Sequence, residues 1–190
     1  MKTREDIFQT HEFGRVAPWV DLVNSEESDG FGHFSDRLDD PRWLDSFLRY
    51  WEIRPAGTAR APVRALKGLR LALRAIAETL ENKGLASAAQ IAVLNDAMKV
   101  PAHPKIIRDE SGYHLELSPV RKDWNWALAK IAASAAETLT TPLAQPIKIC
   151  ANPDCRWLFQ DATKGRTRRW CSDRTCGNRD RVRRSRARQS

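Results

Sequence analysis

The chain has 190 residues, 42% of them apolar, and a formal net charge of +8. That is room for one ordinary domain plus a small appendage, with enough apolar material to exclude wholesale disorder. The charge is segregated: residues 1–149 balance twenty Lys and Arg with twenty Asp and Glu, whereas residues 150–190 hold twelve against four. A neutral body with a cationic tip should attract a polyanion.

The opening stretch "MKTREDIFQT" mixes both charge signs and has no apolar h-region, so a signal peptide is not expected. No run approaches eighteen apolar residues, so no membrane partner is expected. These features predict a cytoplasmic protein with reduced thiols.

In chain order, "APWVDLVN" at 17–24 reads as a short strand or a first helical turn, with Asp21 and Asn24 embedded in it. Such polar side chains must be satisfied when buried. They either cap neighbouring backbone or line a small effector pocket. That pocket would be closed by the acidic, aperiodic loop 25–40, with Trp19, Trp43 and Trp51 as walls or plain core. Asp40 and Pro41 then signal a helix start, and Leu44, Phe47, Leu48 and Trp51 repeat on one face. A second helix from about Pro62 carries Leu66, Leu69, Leu73, Ile76 and Leu80 as its seam and stops at Gly84. Ser87 and Gln90 form a capping-box pattern ahead of a third helix. "KIIRDESGYHLELS" predicts a β-hairpin turning at Glu110–Gly112. A last body helix, rich in alanine, runs from the cap Asp123 to about Thr141. The body is therefore mainly helical with one small sheet.

The four cysteines stand as Cys150-x4-Cys155, an interval of fifteen residues, then Cys171-x4-Cys176. Two close pairs across a short span is a metal-site layout, and four thiolates suit one structural Zn2+ with no open coordination position. Two disulfides would need an oxidising compartment, and scattered core cysteines would not gather in one stretch. Between the pairs, Trp157–Gln160 and Thr167–Trp170 are β-prone runs about the turn "TKGR". Ser172 is a plausible cap for a closing helix that bears Cys176. That order suits a treble-clef-like module, too small to fold without its metal.

The stretch "CANPDCRWLFQDATKGRTRRWCSDRTCGNRDRVRRSRAR" closely resembles the CGNR-type zinc finger, whose motif stands here as Cys176-Gly177-Asn178-Arg179. More weakly, "WVDLVN" at 19–24 and "LDDPRWLDSFLRYW" at 38–51 resemble the ABATE domain. Leu22 and Ser25 stand where that family's "LDFVNT"-like stretch carries an aromatic residue and a threonine. The resemblance implies an α+β architecture: a mainly helical ABATE-like domain over 1–146 and a zinc finger with a basic helix over 147–190. It also implies a stress-related transcription regulator that binds DNA.

The residues point the same way. Arg174, Arg179, Arg181, Arg183, Arg184, Arg186 and Arg188 follow the last cysteine pair, and Lys164, Arg166, Arg168 and Arg169 precede it. Guanidinium forks grip phosphates bidentately, and Asn178 could contact adenine or bond local backbone. Arg179 would meet phosphate or pair with Asp161 or Asp173. Trp157, Phe159 and Trp170 should pack the finger's own core rather than stack on bases. The competing reading is an adaptor docking an acidic protein surface, or RNA. A homodimer is expected because a single finger usually needs a second copy for specificity. His11, His33, His103 and His114 are scattered, and no phosphate loop or nucleophile motif is present, so an enzyme is not expected.

Overall fold

The computed structural model describes residues 16–141 and 145–188. The opening stretch, His11 and the Pro142 punctuation lie outside the described residues. Residues 17–24 resolve as a helix, α1 (Pro18–Asn24), started by Pro18 and buried through Trp19, Val20, Leu22 and Val23. Residues 25–40 are not the aperiodic loop expected. Strands β1 (Glu26–Ser28) and β2 (Phe34–Asp36) pair antiparallel, Glu26 opposite Asp36, and a single 3-10 turn follows at Arg37–Asp39. The ladder gives this polar stretch somewhere to satisfy its backbone.

Helix α2 (Pro41–Tyr50) starts as its signals require. The Asp40 carboxylate accepts from the Arg42 N–H at 2.9 Å, and Leu44, Phe47 and Leu48 are buried. Helix α3 (Val63–Glu81) buries Leu66, Leu69, Leu73 and Ile76. It ends in a left-handed residue, Lys83 (φ 58°), so Gly84 follows the turn rather than supplying it. The Gly84 N–H closes that turn on the Thr79 carbonyl at 2.9 Å. Helix α4 (Ala88–Ala97) has both bonds of the capping box between Ser87 and Gln90. Strands β3 (Ala102–Asp109) and β4 (Gly112–Pro119) form the expected hairpin, with Asp109 opposite Gly112. Helix α5 (Trp124–Thr140) is capped by Asp123, which accepts from the N–H groups of Asn125 and Trp126.

One apolar core joins α1, α2, α3 and α5, and it continues into the C-terminal segment. Strands β5 (Ile147–Ile149) and β6 (Leu158–Gln160) pair antiparallel, and Leu158 is 1% exposed within that same core. This corrects the expected finger hairpin: β6 pairs with β5, not with residues 167–170, which form no strand. The physical reason is apolar content. Ile147 and Ile149 pack on the helical core, whereas "KGRTRR" offers a partner strand little to bury. A π-helical turn (Asp173–Gly177) then leads into α6 (Asn178–Ala187), which buries nothing.

Arg70 and Arg74 are buried at 6% and 8% exposure. They sit four and eight residues after Leu66, so they belong to the inward stripe. Arg70 grips Asp36 with two bonds of 2.7 Å and donates to Ser25 Oγ at 2.9 Å. Arg74 reaches the carbonyls of Arg156, at 2.5 Å, and Val23, at 3.3 Å.

Candidate metal centre and nucleic-acid interface

The chain delivers its four cysteines from three local structures. Cys150 directly follows β5, and its N–H bonds the Trp157 carbonyl at 2.8 Å. Cys155 closes a tight turn whose N–H returns to the Asn152 carbonyl at 2.9 Å, and Arg156 follows in the left-handed region. Cys171 lies in the bend before Ser172. The Ser172 hydroxyl accepts from the Thr175 N–H at 3.3 Å and so starts the turn that carries Cys176. The ligand sulfurs all lie within 4.8 Å of one another. Cys155 and Cys171 are 3.7 Å apart, as are Cys171 and Cys176. Sulfurs about 2.3 Å from a central ion stand about 3.8 Å apart at tetrahedral corners, whereas a disulfide needs about 2.05 Å. The cysteines are thus free thiols arranged for one tetrahedral metal ion.

The surroundings fit that assignment. The Cys171 N–H donates to the Cys150 sulfur at 3.5 Å, and Asn152 Nδ2 donates to the Cys176 sulfur at 3.7 Å. Such donors offset thiolate charge. Four thiolates at this spacing repel and cannot all ionise unaided. The hydrogen bond with Cys150 foremost pushes the Cys155 and Cys171 thiols far up and Cys176 down. Cys155 leads in lowering Cys150 to about 7. A divalent cation would satisfy all four at once.

Phe159 is buried among the cysteines, and Trp157 and Trp170 pack beside it, so these aromatics form the finger's core as expected. Asp161 is fully buried and ties the finger's connecting loop. It accepts from Lys148 Nζ at 2.8 Å, the Thr163 hydroxyl at 2.6 Å and the N–H groups of Thr163 and Arg168 at 3.0 Å. Burial raises its carboxyl, but these donors, led by Lys148, outweigh that and hold it far below the usual carboxylate range.

The arginines named from the sequence divide into two groups. Arg168 turns inward: it donates to the Trp170 carbonyl at 2.8 Å and to that of Cys171, with its guanidinium 4.7 Å from the Phe159 ring centroid. Arg179 pairs with neither Asp161 nor Asp173; it lies 4.2 Å over the Phe31 ring of the β1–β2 turn. Asp161 is taken by Lys148, and Asp173 by Arg181 at 3.0 Å. The outward group is Arg166, Arg169, Arg174, Arg181, Arg183, Arg184, Arg186 and Arg188, all exposed, and Asn178 is exposed beside them. Arg169 leans on Trp170, and Asp180 holds Arg183 and Arg184 at 2.9 Å along α6.

Asp21 and Asn24 both have hydrogen-bond partners within the protein. Asn24 Nδ2 donates to the Leu158 carbonyl at 2.9 Å, and its Oδ1 accepts from the Leu158 N–H at 2.8 Å. Asp21 accepts from Trp51 Nε1 at 2.9 Å. Asn24 therefore joins the helical domain to the finger. Further ties missed in the sequence are Asn152 to the Gly30 carbonyl at 3.3 Å, Arg156 to Glu78 at 2.7 Å, and the Ser28 hydroxyl to the Asp154 carbonyl. Only the inward position of Arg70 and Arg74 left a sequence signal; the others depend on which loops meet.

Fold and site together define a helical domain docked to a four-cysteine metal finger with a basic, solvent-facing helix. Two family models match: the CGNR zinc finger over residues 147–189, and ABATE, described as "Putative stress-induced transcription regulator", over residues 16–142. The latter spans well over half the chain, so this protein belongs to the ABATE family and carries a CGNR zinc finger. No curated protein matches the chain. Among the described residues no helix is long and apolar enough to cross a membrane.

Proposed function

We propose that this chain is a cytoplasmic transcription regulator that binds duplex DNA through a zinc-organised finger, and that it is a binding protein rather than an enzyme. The observation that carries this is α6: five arginines in ten residues, with none of the ten buried. A helix whose packing is confined to its first turn gains little from burial, and its arginines repel one another. A phosphate backbone removes that repulsion. Zinc is the ion of choice because four closed thiolate positions suit a structural tetrahedral site.

Arg181, Arg183, Arg184, Arg186 and Arg188 would neutralise phosphates, with Arg166 and Arg169 extending the field from the finger's connecting loop. Asn178, exposed at the first turn of α6, would meet a base edge. Bonds to Asp173 and Asp180 hold several of these forks in defined orientations, and exposed ion pairs of this kind exchange readily for phosphate. The test is fluorescence anisotropy with duplex DNA over a salt series. The logarithm of affinity should fall with log salt at a slope of roughly −4 to −6, as expected for five to seven phosphate contacts. A flat response would show that the basic helix is not a phosphate-binding surface.

A further inference from the structure

The β3–β4 ribbon stands apart from the helical core, and neither strand packs substantially on another element. The Val120 N–H donates to the Pro101 carbonyl at 2.9 Å. Antiparallel alternation from that pair, with Pro104 opposite Leu117, Ile106 opposite Leu115 and Arg108 opposite Tyr113, puts Pro104, Ile106, Tyr113, Leu115 and Leu117 on one face, with Arg108 at its tip end. Apart from Arg108 that face is apolar and open: Ile106 is 71% exposed, Tyr113 77%, Leu115 70% and Leu117 71%. An isolated two-stranded ribbon is marginal in water, and an apolar sheet face is normally covered.

We propose that this face is a homodimer surface, on which the ribbons of two copies pack face to face about a two-fold axis. Charge and size select a second copy as the occupant. The ribbon's charges are mixed, Lys105 and Arg108 against Asp109, Glu110 and Glu116, so it draws neither a polyanion nor a lipid surface. Its tip carries exposed Asp109 and Glu110 against Arg108 and so stays net acidic, and its base continues into exposed Arg121 and Lys122. Two ribbons laid antiparallel therefore bring acidic tip to basic base at both ends, with apolar side chains between. Four large side chains at this exposure offer about 500 Å² per copy, and two faces together bury about 1,000 Å², the lower bound for a specific interface. The inference is independent of nucleic-acid binding.

Sedimentation equilibrium of the full chain between about 1 and 100 μM should show a reversible monomer–dimer equilibrium. Leu115→Asp with Leu117→Asp should raise the dissociation constant roughly 100-fold or more. Circular dichroism should show an unchanged fold, because both side chains are already in water. Glu110→Lys should weaken the dimer about fivefold, and adding Arg121→Glu should restore it. A wild type that stays monomeric at 100 μM overturns the proposal. So does a dimer that the double aspartate variant leaves intact.

Discussion

Asn24 shows how much one side chain can decide. Its carboxamide satisfies both backbone groups of Leu158, a residue of the finger, from a helix of the body. Asn24→Leu would leave a buried N–H and a buried C=O unpaired, so urea unfolding should show a loss of roughly 2–4 kcal/mol. Asp36 carries a pH dependence. Burial raises its carboxyl, but Arg70 and then Lys67 outweigh this and lower it to about 2. Its folded value lies below the unfolded one of about 3.9, so its stabilisation is present in full above that value and is lost as the pH falls through about 2. Asp36→Asn should flatten the acid limb of the stability profile between about pH 4 and 2, measured by urea midpoints. At this scale the cysteines, Asp40, Asp123 and Ser87 were legible, because each acts on neighbours a few residues away. Arg70 and Arg74 were half legible: helical spacing puts them in the core, but their charge argues for solvent until Asp36 and the Arg156 carbonyl are seen.

Among the elements, the helices followed their signals closely. Helices α2 to α5 each have a local start and an apolar stripe, and both are short-range properties. The strands differed. The β3–β4 hairpin was readable because its turn joins adjacent runs, whereas β5–β6 required knowing that Ile147 and Ile149 lie against the core. Helix α6 is where binding is testable. Replacing Arg183, Arg184 and Arg186 with alanine should leave the metal site and thermal stability intact, since the helix buries nothing. It should weaken duplex binding at low salt and reduce the salt slope by roughly 2 to 3, read by anisotropy.

At the scale of the whole molecule, the two matched families share one core. Leu158, which lies between the two cysteine pairs in sequence, is buried with Trp19, Leu73 and Ile131. Disturbing the metal should therefore be felt beyond the finger. Cys176→Ser, or prolonged exposure to a strong chelator, should lower the melting temperature of the entire chain. It should also abolish duplex binding. Calorimetry resolving an unchanged main transition after metal loss would show instead that the finger unfolds alone.

What the sequence determined by itself was everything governed by composition and short spacing: the helical body, the ribbon, the cysteine quartet and the concentration of charge behind it. Tertiary structure alone decided which arginines face water. Arg168 and Arg179 belong to the same basic run as Arg183 and Arg186, yet the first folds over Phe159 and the second over Phe31, a residue almost 150 positions away. Periodicity and charge are properties of neighbours along the chain, whereas burial is set by whichever distant surfaces the shared core brings together.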